Sequence, residues 1–297
     1  MASPSFCASG PRVAAAFISY NCTDELPRNI EVLAPQVEWT FVIDNGSSSA
    51  SAETLRRVSD LPQVTLIRLP ENLGIAAALN VAMREIHAGG YAWAVTMDQD
   101  SRPDAQLVTK LLTAANAADK PIAIVAPLIF SDSDNSLIQG WIPDLRSEHA
   151  LVIHQTLVCM TSGSLANVET WRIVNGFDDA FFIDYVDNEY CLRCLKHGFY
   201  TWQSFEAKIF HKLGARRFHR IGSYRFSATH HSAWRRYFIT RNRLNVGLKF
   251  WGTQRAYVIN DIRNMIIELL KILLVEDQKL AKILSVGRGI RDGLNRH

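Results

Sequence analysis

Short apolar runs alternate with stretches of helical periodicity over the first half of this 297-residue chain. The runs begin near Val13, Trp39, Val64 and Tyr91, and each is rich in β-branched or aromatic residues. Such runs predict buried strands, and the stretches between them predict helices. Strands that alternate with helices at this spacing predict parallel βαβ units with right-handed crossovers. We therefore expect an α/β protein with a Rossmann-like, mostly parallel central sheet flanked by helices.

Polar residues follow the predicted strands at the points where the strands end. In an open α/β sheet these carboxyl ends are where ligands bind. The second strand ends in an aspartate, the third leads into an Asn-x-Gly turn, and the fourth runs into two aspartates separated by one residue. The residues concerned are Asp44, Asn72, Gly74, Asp98 and Asp100.

The Asp98 and Asp100 pair has two interpretations. Two hard oxygen ligands at a strand end suit Mg²⁺ or Mn²⁺, and such a cation suits a diphosphate. Short acidic motifs also recur by accident, so the pair could be a solvated turn before a helix, with Pro103 in the first helical turn.

A second acidic cluster precedes a helix predicted from Asp187 to His197. Glu189 and Arg193 are spaced to form an ion pair on this helix, whereas Asp184 and Asp187 precede or begin it. A carboxylate at a helix N-terminus often only caps the helix. If a diphosphate compound is bound to the metal nearby, such a carboxylate could also act as a base and remove the proton from the hydroxyl of a second substrate.

A later apolar run, Thr201 to Phe210, predicts another strand, which ends at His211. A neutral imidazole is a competent metal ligand beside oxygens. His211 could therefore complete the coordination of a cation held by Asp98 and Asp100.

The last third of the chain is basic. From residue 205 onward there are 19 Lys and Arg against 6 Asp and Glu, whereas the first 204 residues hold 13 against 23. Such a segment suits anionic phosphates or an anionic membrane surface. We find no nucleic-acid-binding module, and we expect no nucleic-acid partner. Apolar residues at helical spacing between about Arg255 and Leu284 could pack on their own domain or lie at a membrane surface.

Composition bears on the compartment. Five scattered cysteines indicate a reducing environment, so we expect a cytoplasmic protein. The first residues, MASPSFCASGPR, do not resemble a signal peptide, and no stretch of about 20 residues is free of charge. The protein is thus expected in the cytoplasm, with contact at the cytoplasmic face of the inner membrane left open.

Five strings in this order and spacing resemble family 2 glycosyltransferases of the GT-A fold: VAAAFISYN, FVIDNGSSS, ENLGIAAALNVAM, MDQDSRPD and GFDDAFFIDYVDNEYCLR. The later strings HKLG and HHSAWRRYFITRN look most like the bacterial rhamnosyltransferases of O-antigen and other surface-polysaccharide assembly. The resemblance covers about residues 12–250. It implies a GT-A catalytic domain over residues 1–225, divided near residue 126 into nucleotide and acceptor halves, and a helical basic extension over residues 226–297.

The resemblance implies an inverting, metal-dependent transfer from a nucleotide sugar, most like dTDP-L-rhamnose, to a hydroxyl of a glycan or lipid-linked glycan. Mg²⁺ or Mn²⁺ is the implied cofactor, and an oligomer is open. A UDP-hexose donor is the nearest alternative. Two other classes are a nucleotidyltransferase, whose Gly-rich loop is not seen after the first strand, and a non-catalytic nucleotide-sugar-binding protein.

The resemblance also implies roles for individual residues. Asp44 matches the aspartate that contacts the base, and Asn72 with Gly74 matches a turn near the nucleotide. Asp98 and Asp100 match the D-x-D motif, of which the second aspartate is the more direct metal ligand. His211 matches a metal-ligating histidine, and Asp187 matches the general base.

The base position departs from the family pattern because Val186 occupies the place of a first acid. Asp184 and Glu189 therefore compete with Asp187. Contacts to the diphosphate or acceptor are expected from basic and aromatic residues of the HHSAWRRYFITRN string, which predicts a helix, or these residues could form a solvated helix face. They are His231, Arg235, Tyr237 and Arg241.

Overall fold

The computed structural model describes residues 10–140, 152–212 and 217–295. Residues 1–9, where no signal peptide is expected, and Leu213 with Gly214 of the HKLG string lie outside the described residues. The strands are β1 (Val13–Ser19), β2 (Trp39–Asp44), β3 (Val64–Arg68), β4 (Trp93–Asp98), β5 (Ser101–Pro103), β6 (Ile122–Ser131), β7 (Leu137–Gln139), β8 (Ile153–Thr156), β9 (Ser164–Asn167), β10 (Tyr200–His211), β11 (Arg217–Ile221) and β12 (Tyr224–Ala228). The helices are α1 (Glu25–Leu33), α2 (Ala52–Ser59), α3 (Ile75–Ala88), α4 (Leu107–Asn116), α5 (Val168–Ile173), α6 (Val186–Lys196), α7 (Ala233–Phe250), α8 (Arg255–Val275) and α9 (Lys279–Leu294).

The first four strands form the parallel part of the main sheet, in the order β3-β2-β1-β4. Ser19 at the end of β1 is paired with Asp44, and Ile18 is paired with Asp98. The carboxyl ends of three strands therefore meet at one edge. This arrangement follows from helices α1 to α3. After each strand a helix carries the chain back to the opposite edge of the sheet, where the next parallel strand begins.

Beyond β4 the sheet becomes mixed. β9 lies antiparallel between β4 and β6, whereas β10 is parallel to β6. A separate hairpin, β11 with β12, precedes the C-terminal helices. The predicted α/β class with a mostly parallel flanked sheet and a helical C-terminal region is confirmed.

Apolar side chains cover both faces of the sheet. Along β1, Ala14, Ala16 and Ile18 join a cluster with α3, α5 and α6, whereas Val13, Ala15 and Phe17 join a cluster with α1, α2 and α4. Successive residues of a strand point to opposite faces, so a strand buried on both faces must be apolar throughout. The continuous apolar run of β1 is therefore required by its central position.

The prediction that Pro103 begins a helix is wrong. Pro103 ends β5, which pairs antiparallel with β10, and α4 begins only at Leu107. Proline lacks the N–H that a central strand needs, and β5 lies at the end of the sheet, where this loss is tolerated. The same pairing places Ser101 opposite His211.

In the C-terminal region α7 packs on α9, which runs in the same direction, and on α8, which runs in the opposite direction. The stretch between about Arg255 and Leu284 is two helices, because the chain turns between Val275 and Lys279. Glu276 in this turn is buried and accepts hydrogen bonds from Arg236 at 2.6 Å and Lys282 at 2.8 Å. The predicted domain boundary at residue 225 lies within β12 and stays a prediction. None of the described helices is long and apolar enough to cross a bilayer.

We expect Glu276→Ala to lower the free energy of unfolding by about 3–5 kcal/mol, because it leaves two buried cations without their shared carboxylate. Urea denaturation measures the change. Asp277→Ala is the matched control, since Asp277 is 73% exposed and its removal should cost no more than about 1 kcal/mol. Equal losses in the two variants would show that Glu276 does not hold the turn.

Candidate functional site

Asp98, Asp100 and His211 form one cluster at the carboxyl edge of the sheet. Their potential ligand atoms all lie within 4.8 Å of one another. Asp98 ends β4, whereas Asp100 lies in the turn to β5 and comes within 3.8 Å of the His211 Nδ1 atom. The β5–β10 register brings His211 to this edge although it is more than 100 residues away in the chain.

Two serines connect the members of the cluster. The backbone N–H of Asp98 donates to Ser162 Oγ at 3.0 Å, and Ser162 Oγ donates to Ser101 Oγ at 2.8 Å. Ser101 Oγ in turn lies 2.8 Å from His211 Nδ1. This hydrogen bond fixes the orientation of the imidazole, as outer partners do for metal-ligating histidines. Sequence reasoning missed both serines, although Ser162 lies in a recognisable small-residue turn.

Burial raises the pKa of Asp98 to about 6, and the charge of Asp100 adds to the rise. His211, the hydrogen bond with Ser162 and the charge of Arg235 act in the opposite direction. Two carboxylates that repel each other would both be stabilised by a cation between them. Two carboxylates and one imidazole are ligands that Mg²⁺ and Mn²⁺ accept, so the residues fit such an ion.

A cavity of about 410 Å³ opens beside this cluster. Its volume is in the range of small-molecule sites. Asp98 and Ser162 lie on one side, and the segment leading into α6 supplies Asp184 and Asp187. The remaining polar wall comes from α7 and α8, through Arg235, Arg243 and Glu268.

Asp187 lies in the first turn of α6 and lines this cavity. Burial raises its pKa to about 6, and the charges of Asp184 and Asp98 add to the rise. Hydrogen bonds from backbone N–H groups, including that of Asn188, partly offset it. A carboxylate whose pKa lies close to neutrality is a stronger base than an ordinary aspartate and is still ionised at pH 7.

The two competing acids, Glu189 and Asp184, are already paired with basic side chains. Glu189 is fully buried and accepts hydrogen bonds from Arg193 at 2.8 Å and Lys249 at 2.6 Å. It is two residues beyond Asp187 and thus on a different face of α6. Asp184 lines the cavity, but both of its oxygens accept hydrogen bonds from Arg235, at 2.8 and 3.0 Å.

The segment before α6 has an unusual backbone. Asp184 and Tyr185 have φ angles of 61° and 64°, a left-handed conformation that side chains rarely adopt. The side chain of Asn242 on α7 donates to the carbonyls of Ile183 and Asp184 at 2.8 and 2.9 Å. Tyr185 donates to Asp261 on α8 at 2.8 Å. The C-terminal helices therefore hold the two aspartates of this segment at the cavity.

Val186, at the position where the family pattern has an acid, is buried in the core. It also borders the cavity, where it contributes apolar surface and no second charge. The position is a packing residue in this chain.

The predicted nucleotide residues lie at the ends of β2 and β3. Asp44 is buried, and its carboxylate accepts hydrogen bonds from the backbone N–H of Ser47 and from Arg68, both at 3.1 Å. Gly74 has a φ of 89°, and a Cβ atom there would lie 2.6 Å from the carbonyl oxygen of Phe182. Only glycine fits this backbone conformation and this approach.

Asn45 holds the Asn-x-Gly turn, a role that sequence reasoning missed. Its side chain donates to Asn72 Oδ1 at 3.0 Å and to the Gly74 carbonyl at 3.1 Å, and it accepts from Leu73 N–H at 2.9 Å. Asn72 Oδ1 also accepts from Gly74 N–H at 3.0 Å. The turn is thus fixed to the end of β2.

The two arginines predicted to contact a ligand lie in different places. Arg235 lines the cavity. Arg241 is buried among helices, where it donates to the Ala180 carbonyl and to Asn242, both at 2.9 Å. A direct role of Arg241 in binding stays a prediction, and its observed contacts are structural.

The other two residues of this predicted group also differ. Tyr237 donates to Asp292 on α9 at 3.0 Å. Burial, together with the charges of Arg235 and Arg236, lowers the pKa of His231 to about 4. His231 is therefore neutral at pH 7 and carries no charge for a diphosphate.

The model of the family "Glycosyl transferase family 2" matches residues 16–168. The match begins in β1 and includes Asp44, the Asn-x-Gly turn and the Asp98–Asp100 pair. A curated relative, dTDP-rhamnosyl transferase RfbF of Shigella flexneri, is 29% identical over 240 residues, which are 77% of each chain.

Several solved structures share the fold at low sequence identity. S. aureus TarS 1-349 aligns with a TM-score of 0.62 at 8% identity, over 96% of this chain and 81% of TarS. The Pyrobaculum calidifontis mannosyltransferase PcManGT, with GDP-Man and Mn²⁺, gives 0.55 at 13% identity over 94% and 80%. GalNAc-T7, with UDP, GalNAc and Mn²⁺, gives 0.63 at 13% identity; the match covers 85% of this chain but only half of GalNAc-T7.

We expect Asn45→Ala to lower the free energy of unfolding by about 1–3 kcal/mol, because the buried carbonyl of Gly74 and the part-buried N–H of Leu73 lose their partner. Thermal or urea unfolding measures the loss. Asn116→Ala, at an exposed position at the end of α4, should change stability by no more than about 0.5 kcal/mol. A neutral result at Asn45 would mean that the turn is held by other contacts.

Proposed function

The chain belongs to glycosyl transferase family 2, and we propose that it transfers L-rhamnose from dTDP-L-rhamnose to a hydroxyl of a glycan or lipid-linked glycan. Glycosyl transfer from a nucleotide-sugar donor follows from the family. The choice of rhamnose is supported by the similarity to the Shigella dTDP-rhamnosyl transferase. The observation that carries the catalytic part of the proposal is the single cavity lined by Asp98, Asp187 and Arg235.

The donor would lie along the carboxyl edge of the sheet. Asp44 and the turn of Asn72 and Gly74 would contact the nucleotide. Asp98, Asp100 and His211 would hold Mg²⁺ or Mn²⁺, which when bound supplies positive charge to the departing diphosphate. In the structures similar to this fold, two are described with Mn²⁺ together with a nucleotide or nucleotide sugar.

Arg235 would add a fixed cation to the cavity that Asp98 also lines. Its guanidinium is held by both oxygens of Asp184, which leaves its remaining N–H groups available in a defined direction. Because the fork is rigid, this arrangement suits bidentate recognition of phosphate oxygens.

The proposed reaction is a single displacement with inversion. Asp187 accepts the proton of the acceptor hydroxyl, and the oxygen forms a bond to the anomeric carbon. The bond from that carbon to the diphosphate oxygen breaks, and its electron pair leaves with the nucleotide diphosphate. Asp187 is favoured over Asp184 and Glu189 because those carboxylates already accept hydrogen bonds from arginine or lysine.

Membership of the glycosyltransferase family removes the nucleotidyltransferase. A UDP-hexose donor would be recognised by a melting shift with UDP sugars and none with dTDP-L-rhamnose.

We expect dTDP-L-rhamnose, with Mn²⁺, to raise the melting temperature by several degrees, more than UDP-glucose or UDP-galactose does, because a ligand that binds only the folded state stabilises it. Differential scanning fluorimetry with and without EDTA measures this. Asp100→Ala should remove the metal-dependent part, whereas exposed Asp119→Ala should retain it. A response to UDP sugars alone would overturn the choice of rhamnose, and a full response of Asp100→Ala would overturn the metal site.

We expect Asp187→Asn to lower kcat roughly 100-fold or more, because the amide cannot accept the proton, while the melting shift produced by the donor remains. In the wild type, kcat/KM should fall as pH decreases through about 6, where Asp187 becomes protonated, and should level off above it. Product formation followed by chromatography gives both values. Near-wild-type transfer by Asp187→Asn would assign the proton to another group; Asp60→Asn, at an exposed site, is the control.

A further inference from the structure

Helix α8 carries an apolar stripe on its exposed side. Isoleucine and leucine side chains at helical spacing are 38–61% exposed along the whole helix. At about 1.5 Å per residue, the 21-residue helix presents a stripe roughly 30 Å long. The residues are Ile259, Ile262, Ile266, Ile267, Leu270, Leu273 and Leu274.

The opposite side of α8 belongs to the candidate active site. Asp261 accepts a hydrogen bond from Tyr185, and Glu268 accepts from Arg243 at 3.0 Å and lines the cavity. Both carboxylates of the helix are therefore directed inward. The exposed residues of α8 are mostly apolar, with the uncharged Asn260 and Asn264 and the cations Arg255 and Arg263 among them.

The charges around the stripe are mostly positive. Among the described residues from 255 onward, five lysines and arginines are exposed, but Asp277 is the one exposed carboxylate. Asp277 is itself within 3.4 Å of Arg217. Trp251, half exposed directly after α7 in the turn that leads to α8, adds an aromatic ring of the kind that favours a membrane interface. The exposed cations are Arg255, Arg263, Lys279, Arg288 and Arg291.

We propose that the apolar stripe of α8, with its flanking cations, binds the surface of an anionic lipid bilayer. A helix with one apolar side and basic flanks lies in the plane of the interface, with its apolar residues among the acyl chains and its cations at the phosphates. The stripe runs along the length of α8, so the helix would lie in the plane of the interface. A second copy of the chain is disfavoured, because the exposed side of α8 offers Arg263 but no carboxylate to pair with it.

Membrane binding through α8 would place the cavity next to the lipid surface. The outer side of the helix would contact lipid, while Glu268 on the inner side forms a wall of the cavity. A glycan attached to a lipid carrier would then reach Asp187 while its lipid stays in the bilayer. This last point rests on the proposed function, whereas binding to vesicles does not.

Co-sedimentation with vesicles tests the proposal. The full chain should bind vesicles of phosphatidylcholine with phosphatidylglycerol and should bind pure phosphatidylcholine more weakly. The double substitution Ile266→Glu and Leu270→Glu should lower the partition coefficient roughly 100-fold or more, since it removes two apolar anchors. Arg263→Gln should lower it roughly fivefold on anionic vesicles alone.

Ile173→Glu on α5 is the matched control, because Ile173 is equally exposed but lies outside the stripe. It should bind vesicles as the wild type does. Circular dichroism and the melting shift with a nucleotide sugar check that each variant is folded.

Wild-type binding by the double variant, or no binding of the wild type to anionic vesicles, would overturn the proposal. A dimer in analytical ultracentrifugation that the double substitution dissociates would also overturn it, in favour of a second copy. Failure of every nucleotide sugar to stabilise the protein would reject the proposed function and leave the vesicle result standing.

Discussion

The structure depends on how acidic side chains are gathered at one partly dry cavity. Asp98 lines it from the sheet, with Asp100 beside Asp98 in the ligand cluster, whereas Asp184 lies before α6 and Asp187 in its first turn. Negative charges brought together away from water repel one another, and each raises the proton affinity of its neighbours. Arg235 neutralises Asp184, and His211 lies beside Asp100. Asp98 and Asp187 retain raised pKa values, and these are the two positions to which a cation and a proton are assigned.

Much of the fold could be predicted from the sequence because its first half follows local rules. The apolar runs of β1 to β4 end in the polar residues that the structure places at one edge. The route that brings His211 to Asp100 could not be predicted, since β5 is three residues long and ends in proline. Its pairing with β10 is a long-range contact, and no local periodicity reports such a contact.

The roles of residues on the C-terminal helices could be predicted less well from the sequence. Arg235 and Arg241 have the same chemistry in the sequence, but six residues of helix place them about 120° apart around α7. One therefore lines the cavity, whereas the other supports Ala180 and Asn242. Asn45 and Asn242 act by holding backbone carbonyls, and this function leaves no pattern that a single sequence displays. For the C-terminal helices, the composition of the sequence indicated a basic region but not which of its side chains face the cavity.

The left-handed pair Asp184 and Tyr185 has a consequence for how such a protein can diversify. Its conformation is maintained by Asn242 and Asp261, which come from the helices that follow the sheet domain. The helical region is therefore not an exchangeable module, because replacing it would release the loop that carries the acids. Substitutions around the cavity are constrained to side chains that preserve these backbone contacts, and the Asn-x-Gly turn shares the constraint because Gly74 lies against the carbonyl of Phe182 in the same segment.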